Sequence, residues 1–348
     1  MENGCTRKCL SRLNQRVGRA ENPTKHPPFS GHANRFSAIC DRPPERIKGL
    51  VSQAATPRTA TQRSDRNFRL VDQYRHHLHP AKRAYSAIVN LERALQIYET
   101  LDNARNHSNC LATLAYVYKK KGNYVKAIEA LEEGLRQRQA RNDSAGLAHS
   151  YSELALIYGE QEDLELSRHY FELAIPLYRK GGAPKTYLLA GALGNAGSVY
   201  QRLGDMTTAR QHLEEALKIT RINGQQIAQI RILVDLSNLH RTLENPDSAY
   251  QYAIDGDAVA TQLGHPALLA RAKLQLARLE HDRGNLAAAR TQAEAGLEYA
   301  LTGNTRQQEE SANKVLTRIF EELGLWELAF KTNNRAHELH DSVQNDKN

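Results

Sequence analysis

No stretch of the 348 residues approaches the roughly eighteen uninterrupted apolar side chains that a membrane-spanning helix needs, so no span is expected. The first residues are charged early and hold no apolar core of about 7–15 residues, so no secretory leader is expected either. Chemical motifs are missing too: there is no His-Glu-x-x-His, no Gly-x-Ser-x-Gly and no Gly-rich dinucleotide fingerprint. The string Gly181-Gly182-Ala183-Pro184-Lys185-Thr186 has the flavour of a phosphate loop without its spacing. It reads as a loop insertion, with Thr186 placed to cap the following helix. Asp and Glu are abundant, but they fall on solvated helix faces. No catalytic residue, metal or cofactor is therefore expected, and the chain reads as a non-enzyme.

Cysteine is scarce. Of four, Cys5, Cys9 and Cys40 precede the ordered pattern and Cys110 lies within it, where a lone thiol behaves as a small hydrophobe. Cys5, Cys9, His26, His32 and Cys40 can be drawn as a zinc site, but the spacing fits no standard finger. Reduced thiols without a leader make the cytoplasm the expected compartment.

Negative charge is short by eight, and the shortage is local. Residues 1–70 hold fourteen Lys/Arg against five Asp/Glu, which accounts for the whole excess and leaves the remainder near neutral. Six of the eleven prolines fall in residues 1–67, without a sustained apolar period, so this stretch is expected to be a disordered basic tail. A tail of this kind can touch nucleic acid or an anionic surface, or be a solvated segment. Its abrupt change of composition also fits a mis-assigned start or a non-homologous extension.

What is present is a repeat. Small residues recur as Ala87, Ala127, Ser167, Ala209, Ala249, Ala289 and Ala329, in steps of 40, 40, 42, 40, 40 and 40. Seven residues further on, Ala94, Gly134, Ala174, Ala216, Gly256, Gly296 and Ala336 do the same. Such columns let two helices approach closely. Ahead of each lies a first helix marked by Leu114-Ala115 with Tyr118, Leu154-Ala155 with Tyr158, and Ala196-Gly197 with Tyr200, continuing more loosely to Phe320. Turns follow at Gly122-Asn123, Glu162-Asp163, Gly204-Asp205, Glu244-Asn245-Pro246, Gly284-Asn285 and Gly324-Leu325. Gly supplies a left-handed C-cap, and Asn or Asp an N-cap for the next helix. The unit is helix, tight turn, helix, and a longer loop back. Leu131, Phe171, Leu213 and Ile254 need the next unit to complete their burial, so the stack is stable only as a stack.

Leu-Ala-x-x-Tyr, then Gly-Asn-Tyr, then Ala-x-x-x-Leu-x-x-Ala, clearest over Leu114–Leu135 and Ala196–Leu217, resembles the tetratricopeptide repeat. The resemblance covers about residues 84–342 and implies an all-α fold, a right-handed α-solenoid of stacked antiparallel helix pairs. The long period is similar to that of kinesin light chains, Pins-type adaptors and bacterial sensor modules. The closing Ala336-His337-Glu338-Leu339-His340-Asp341-Ser342 is similar to the last helix of those sensors, so an output would come from a partner or has been lost. The expected organisation is a tail at 1–67, a degenerate cap repeat at 68–107, six helix pairs at 108–342 and a short tail at 343–348. Arg75-His76-His77-Leu78-His79-Pro80 in the cap reads as a polar terminus broken by proline, and less readily as a metal site.

In such a stack the first helices line the concave wall. Their residues off the packing stripe are Asn195, Ser198 and Arg202 in the third unit, and Arg231, Asp235, Asn238 and Arg241 in the fourth. The fifth offers Arg271, Gln275, Arg278 and His281, while Tyr116, Glu153 and Glu160 dilute the pattern in the first two. Arg grips carboxylates in bidentate fashion and Asn pairs with peptide backbone. The expected partner is thus a protein or peptide, acidic or ending in a free carboxylate, although the same residues also read as solvated helix positions. The leading function is a scaffold or sensor-type adaptor in signalling or complex assembly. A helical-repeat nucleic-acid binder is disfavoured, because its base-reading side chains would recur at fixed positions. An orphaned sensor half of a histidine kinase or diguanylate cyclase is the other alternative.

Overall fold

The computed structural model describes residues 80–181 and 186–345, all within one compact unit, Phe68–Asn348. The tail, Cys5, Cys9, Cys40, the histidine string before Pro80 and residues 182–185 lie outside the described residues. The helices are α1 Pro80–Thr100, α2 Ala104–Lys120, α3 Tyr124–Ala140, α4 Ser144–Glu160, α5 Leu164–Lys180, α6 Thr186–Arg202 and α7 Met206–Ile222. They continue as α8 Gln226–Thr242, α9 Pro246–Leu263, α10 Pro266–Asp282, α11 Leu286–Thr302, α12 Arg306–Glu322 and α13 Trp326–Asn345. These thirteen stack in antiparallel pairs, six of them running from α2/α3 to α12/α13, with α1 ahead.

The period has a simple composition. Most helices are 17 residues long and most turns three, so helix, turn, helix, turn closes at 40. The connection between units is therefore as short as the turn within one, contrary to the longer loop expected from the sequence. The exception is Gly181–Lys185, which carries the two extra residues of the 42 step. Pro80 does not interrupt a helix but opens α1, where its missing N–H costs nothing. At the other end α13 runs to Asn345, past the boundary expected at 342.

Each turn is built alike. One residue takes a positive φ: Gly122 at 73°, Gly204 at 85°, and in two units a glutamate, Glu162 at 67° and Glu244 at 53°. The next residue caps the following helix, with the side chains of Asn123, Asp163, Asp205 and Asn245 accepting from the backbone N–H three residues on. Asn285 departs from this, since its Nδ2 donates to Glu280 Oε2 at 2.8 Å. Thr186 is the first residue of α6 rather than its cap, and its Oγ1 accepts from Asn223 Nδ2 at 2.8 Å.

The small columns lie at the helix contacts. Ala127, Ser167, Ala209, Ala249 and Ala289 are fully buried, and Gly134, Gly256 and Gly296 are buried as well. A Cβ at Gly197 would stand 2.6 Å from Leu213 Cγ, so that approach requires glycine. Leu131, Phe171 and Leu213 are buried, each contributing about 1.5–3 kcal/mol. Ile254, expected among them, is 42% exposed. Tyrosines tie successive units, with Tyr118 Oη donating to Glu92 at 3.3 Å and Tyr200 Oη to Glu172 at 2.9 Å. Tyr158 stacks on Tyr170 at 5.5 Å. Cys110 is buried, its thiol is pushed up to about 12 by burial, and its Sγ donates to Leu91 O.

Candidate binding groove

The first helices α2, α4, α6, α8, α10 and α12 touch one another from unit to unit as well as their own partners. They form the inner layer, and one face of each looks into the groove. On α6 that face carries Tyr187, Gly191, Asn195, Ser198 and Arg202 at helical spacing. On α8 the same positions hold Ile227, Arg231, Asp235, Asn238 and Thr242. On α10 they hold Ala267, Arg271, Gln275, Arg278 and Asp282.

The structure divides the residues expected here into three sets. Arg231, Arg271 and Arg278 are half-buried on the wall, and among the described residues none has a carboxylate within ion-pair distance. Asn195 and Asn238 are also half-buried, with side-chain amides that bond nothing else in the described protein. Arg202 and Arg241, by contrast, are engaged at the rim. Arg202 pairs with Glu162 of the preceding unit, and Arg241 pairs with Asp282 of the next at 3.1 Å. His281 similarly meets Glu322 at 2.8 Å. These pairs are exposed and individually weak. Gln275 is off the wall altogether. It is fully buried, and its Nε2 donates to Ser237 Oγ at 2.9 Å, because its side chain turns between α8 and α10.

Asp235 sits between Arg231 and Arg271. Burial pushes its carboxyl up to about 6, while the two guanidiniums and the hydrogen bond from Ser198 Oγ, at 3.4 Å, pull the other way. Arg278 is held below the ordinary arginine range, first by burial and then by the like charges of Arg241, Arg318 and Arg271. Arg318 on α12, absent from the sequence-derived set, extends the cationic wall and has no ion pair of its own among the described residues. Its signal was available: it stands 40 residues after Arg278, in the same column. Arg271 and Arg278 lie two turns apart on one face, about 10 Å along the axis, within joint reach of one extended ligand.

The groove is different over the first two units. Lys119 Nζ meets Glu153 at 2.7 Å in a nearly buried pair. His149 is kept below its usual range by burial, with Arg138 and Lys119 adding to the effect and Glu153 opposing it. Tyr116 is exposed, with Lys119 and Lys120 each 5.6 Å from its ring centre. Arg138, also unforeseen, is 1% exposed without a carboxylate partner. Its Nη1 donates to Ser150 Oγ, and its Nη2 donates to Ser108 O and Asn109 Oδ1 at 3.1 and 3.2 Å. Among the described residues no group of three or more metal-ligating side chains is gathered, and no helix is long and apolar enough to cross a membrane.

Residues 114–180 and 188–253 match the family model described as tetratricopeptide repeat. These two segments are tetratricopeptide repeats. Response regulator aspartate phosphatase E of Bacillus subtilis (strain 168) is 24% identical over 172 residues, 46% of this chain. The matched segment spans about half the length of that relative, 46%. Among solved structures, the apo form of RapI superposes with a TM-score of 0.64 at 16% identity, covering 76% of this chain and 94% of its own. A Rap protein complexed with competence and sporulation factor gives 0.60 at 14% identity, covering 82% and 78%. These likenesses establish the fold, and repeat arrays of this kind are binding modules that use extended concave surfaces.

Proposed function

We propose that this chain is a non-catalytic scaffold of a signalling or assembly pathway. It holds an extended peptide, acidic or ending in a free carboxylate, along the inner face of units three to six. The observation that carries this reading is the set of Arg231, Arg271 and Arg278 without ion pairs, beside the unbonded amides of Asn195 and Asn238. Guanidiniums with no carboxylate within ion-pair distance gain from an external one, and half-buried amides gain from peptide N–H and C=O groups. The named role of the relative in response-regulator signalling, and the factor bound by the Rap protein of the same fold, support a signalling partner.

The test is fluorescence anisotropy of the full chain with a labelled Glu-rich peptide, prepared as free acid and as amide. Binding that falls at least about tenfold in Arg271→Gln/Arg278→Gln and weakens with salt is expected. Binding that is indifferent to both arginines would overturn the reading.

A further inference from the structure

The inner face is cationic in units four to six but apolar at one edge of units three and four. Tyr187, at the start of α6, is 53% exposed, and Ile227, at the start of α8, is 63% exposed. They occupy the same column of the repeat, one turn before Gly191 and Arg231, so both look into the groove. In the other first helices that column holds Arg105, Ala145, Ala267 and Gln307. Only units three and four thus present large apolar groups there, and α6 touches α8. Next to them stands Gly191, where an added Cβ would meet nothing within 4 Å. Its column elsewhere carries Asn109, His149, Arg231, Arg271 and Ser311, so the wall is indented at this point alone. An indentation flanked by two exposed apolar side chains is a seat for an apolar side chain of a ligand.

The distance from this seat to the arginines sets a ruler. Packed helices lie about 8–10 Å apart, so α6 and α10, two steps along the inner layer, are about 16–20 Å apart. An extended peptide advances about 3.3 Å per residue, and five or six residues cover that span. We propose that the ligand is a two-point peptide. An aliphatic side chain seats over Gly191 between Tyr187 and Ile227, and an acidic group about five or six residues away is held by Arg271 and Arg278. This inference rests on the reading of the groove as a peptide site and adds the ligand's second determinant and its spacing.

The experiment uses the full chain and labelled peptides of the form Leu, a Gly/Ser spacer, and three Glu, in both chain directions. Spacers of about one, five and ten residues are compared, each with a version in which Leu is replaced by Ser. In one direction the five-residue spacer is expected to bind at least about tenfold tighter than its Ser counterpart, the worth of one buried aliphatic side chain. The one-residue spacer gains nothing, because it cannot span both points. Gly191→Leu projects a side chain into the indentation from a position where the Cβ meets open space, and improves helix propensity. It should abolish the advantage of Leu while leaving the Ser peptides bound and the helical circular dichroism unchanged. If Leu adds nothing at any spacing while binding still depends on Arg271 and Arg278, the seat is wrong and the groove reading stands. If no peptide binds, or binding ignores both arginines, the groove reading falls and the seat with it.

Discussion

Replacing Asp235 by Asn should stabilise the protein at neutral pH and leave it unchanged in acid. The carboxyl lies on the groove wall between Arg231 and Arg271, yet burial outweighs their help and raises it from 3.8 to about 6. A displacement of that size corresponds to about 3 kcal/mol. Solvent reaching the half-buried group lowers the expectation to about 1–2 kcal/mol. The sign follows from linkage. Between pH 3.8 and 6 the unfolded chain has released this proton while the folded chain still holds it. Stability therefore declines as pH rises through that window, and the penalty is complete above it. Asn carries no penalty at any pH. Thermal melts followed by circular dichroism should place Asp235→Asn about 2–6 °C above the native chain at pH 7.5, with the gap closing below pH 4. The same substitution leaves the arginines without their one nearby acid, so the Glu-rich peptide should bind more tightly at pH 7.5. A lower melting temperature for Asp235→Asn at pH 7.5 would refute the reasoning, because it would show the carboxylate acting as a net counterion to the two arginines.

Two glycines of one helix should respond in opposite directions. Gly197→Ala forces a Cβ to within 2.6 Å of Leu213 and should cost about 1–2 kcal/mol in urea unfolding. Gly191→Ala meets open space and should gain about 0.5–1 kcal/mol. Glu244 holds a left-handed φ of 53° in an exposed turn, so Glu244→Gly should raise the urea midpoint by an amount equivalent to about 0.5–1 kcal/mol.

The array was legible because close helix contact tolerates few residue types. Ala209 and Ala289 are small because a neighbouring helix leaves no room, and that constraint repeats every 40 residues whatever else varies. Turn chemistry was legible for the same reason, except where a side chain had a better partner, as Asn285 has in Glu280. The groove was harder to read. Helical spacing put Gln275 on the same face as Arg271 and Arg278, but its neutral amide turns inward, where Nε2 donates to Ser237 and the buried Oε1 accepts from no group. Arg202 and Arg241 looked free because their acids, Glu162 and Asp282, stand a full repeat away in the chain. Arg138 stands in the last turn of α3, and only the placement of Ser108, Asn109 and Ser150 around it shows a buried guanidinium. Tyr187 and Ile227 were readable from their column, one turn before Arg231, but an exposed apolar residue gains meaning only beside the indentation at Gly191.

A repeat region of almost no net charge can still present a cationic wall, and the architecture shows how. Many of its carboxylates are committed to structure. Asp143, Asp163 and Asp205 cap helices, Glu92, Glu172 and Glu280 accept tyrosine hydroxyls between units, and Glu215 and Asp255 pair with Arg179 and Arg221 on the second helices. Each such role lies at a turn, a unit boundary or the outer layer, where the fold needs an acceptor. On the inner face of units four to six the paired acids stand at the rim, where Asp282 and Glu322 meet Arg241 and His281. Arg231, Arg271, Arg278 and Arg318 are therefore left there without acids, and the one carboxyl among them, Asp235, is the group that burial makes hardest to ionise. The electropositive groove is thus a consequence of where the fold uses its acids rather than of any excess of basic residues.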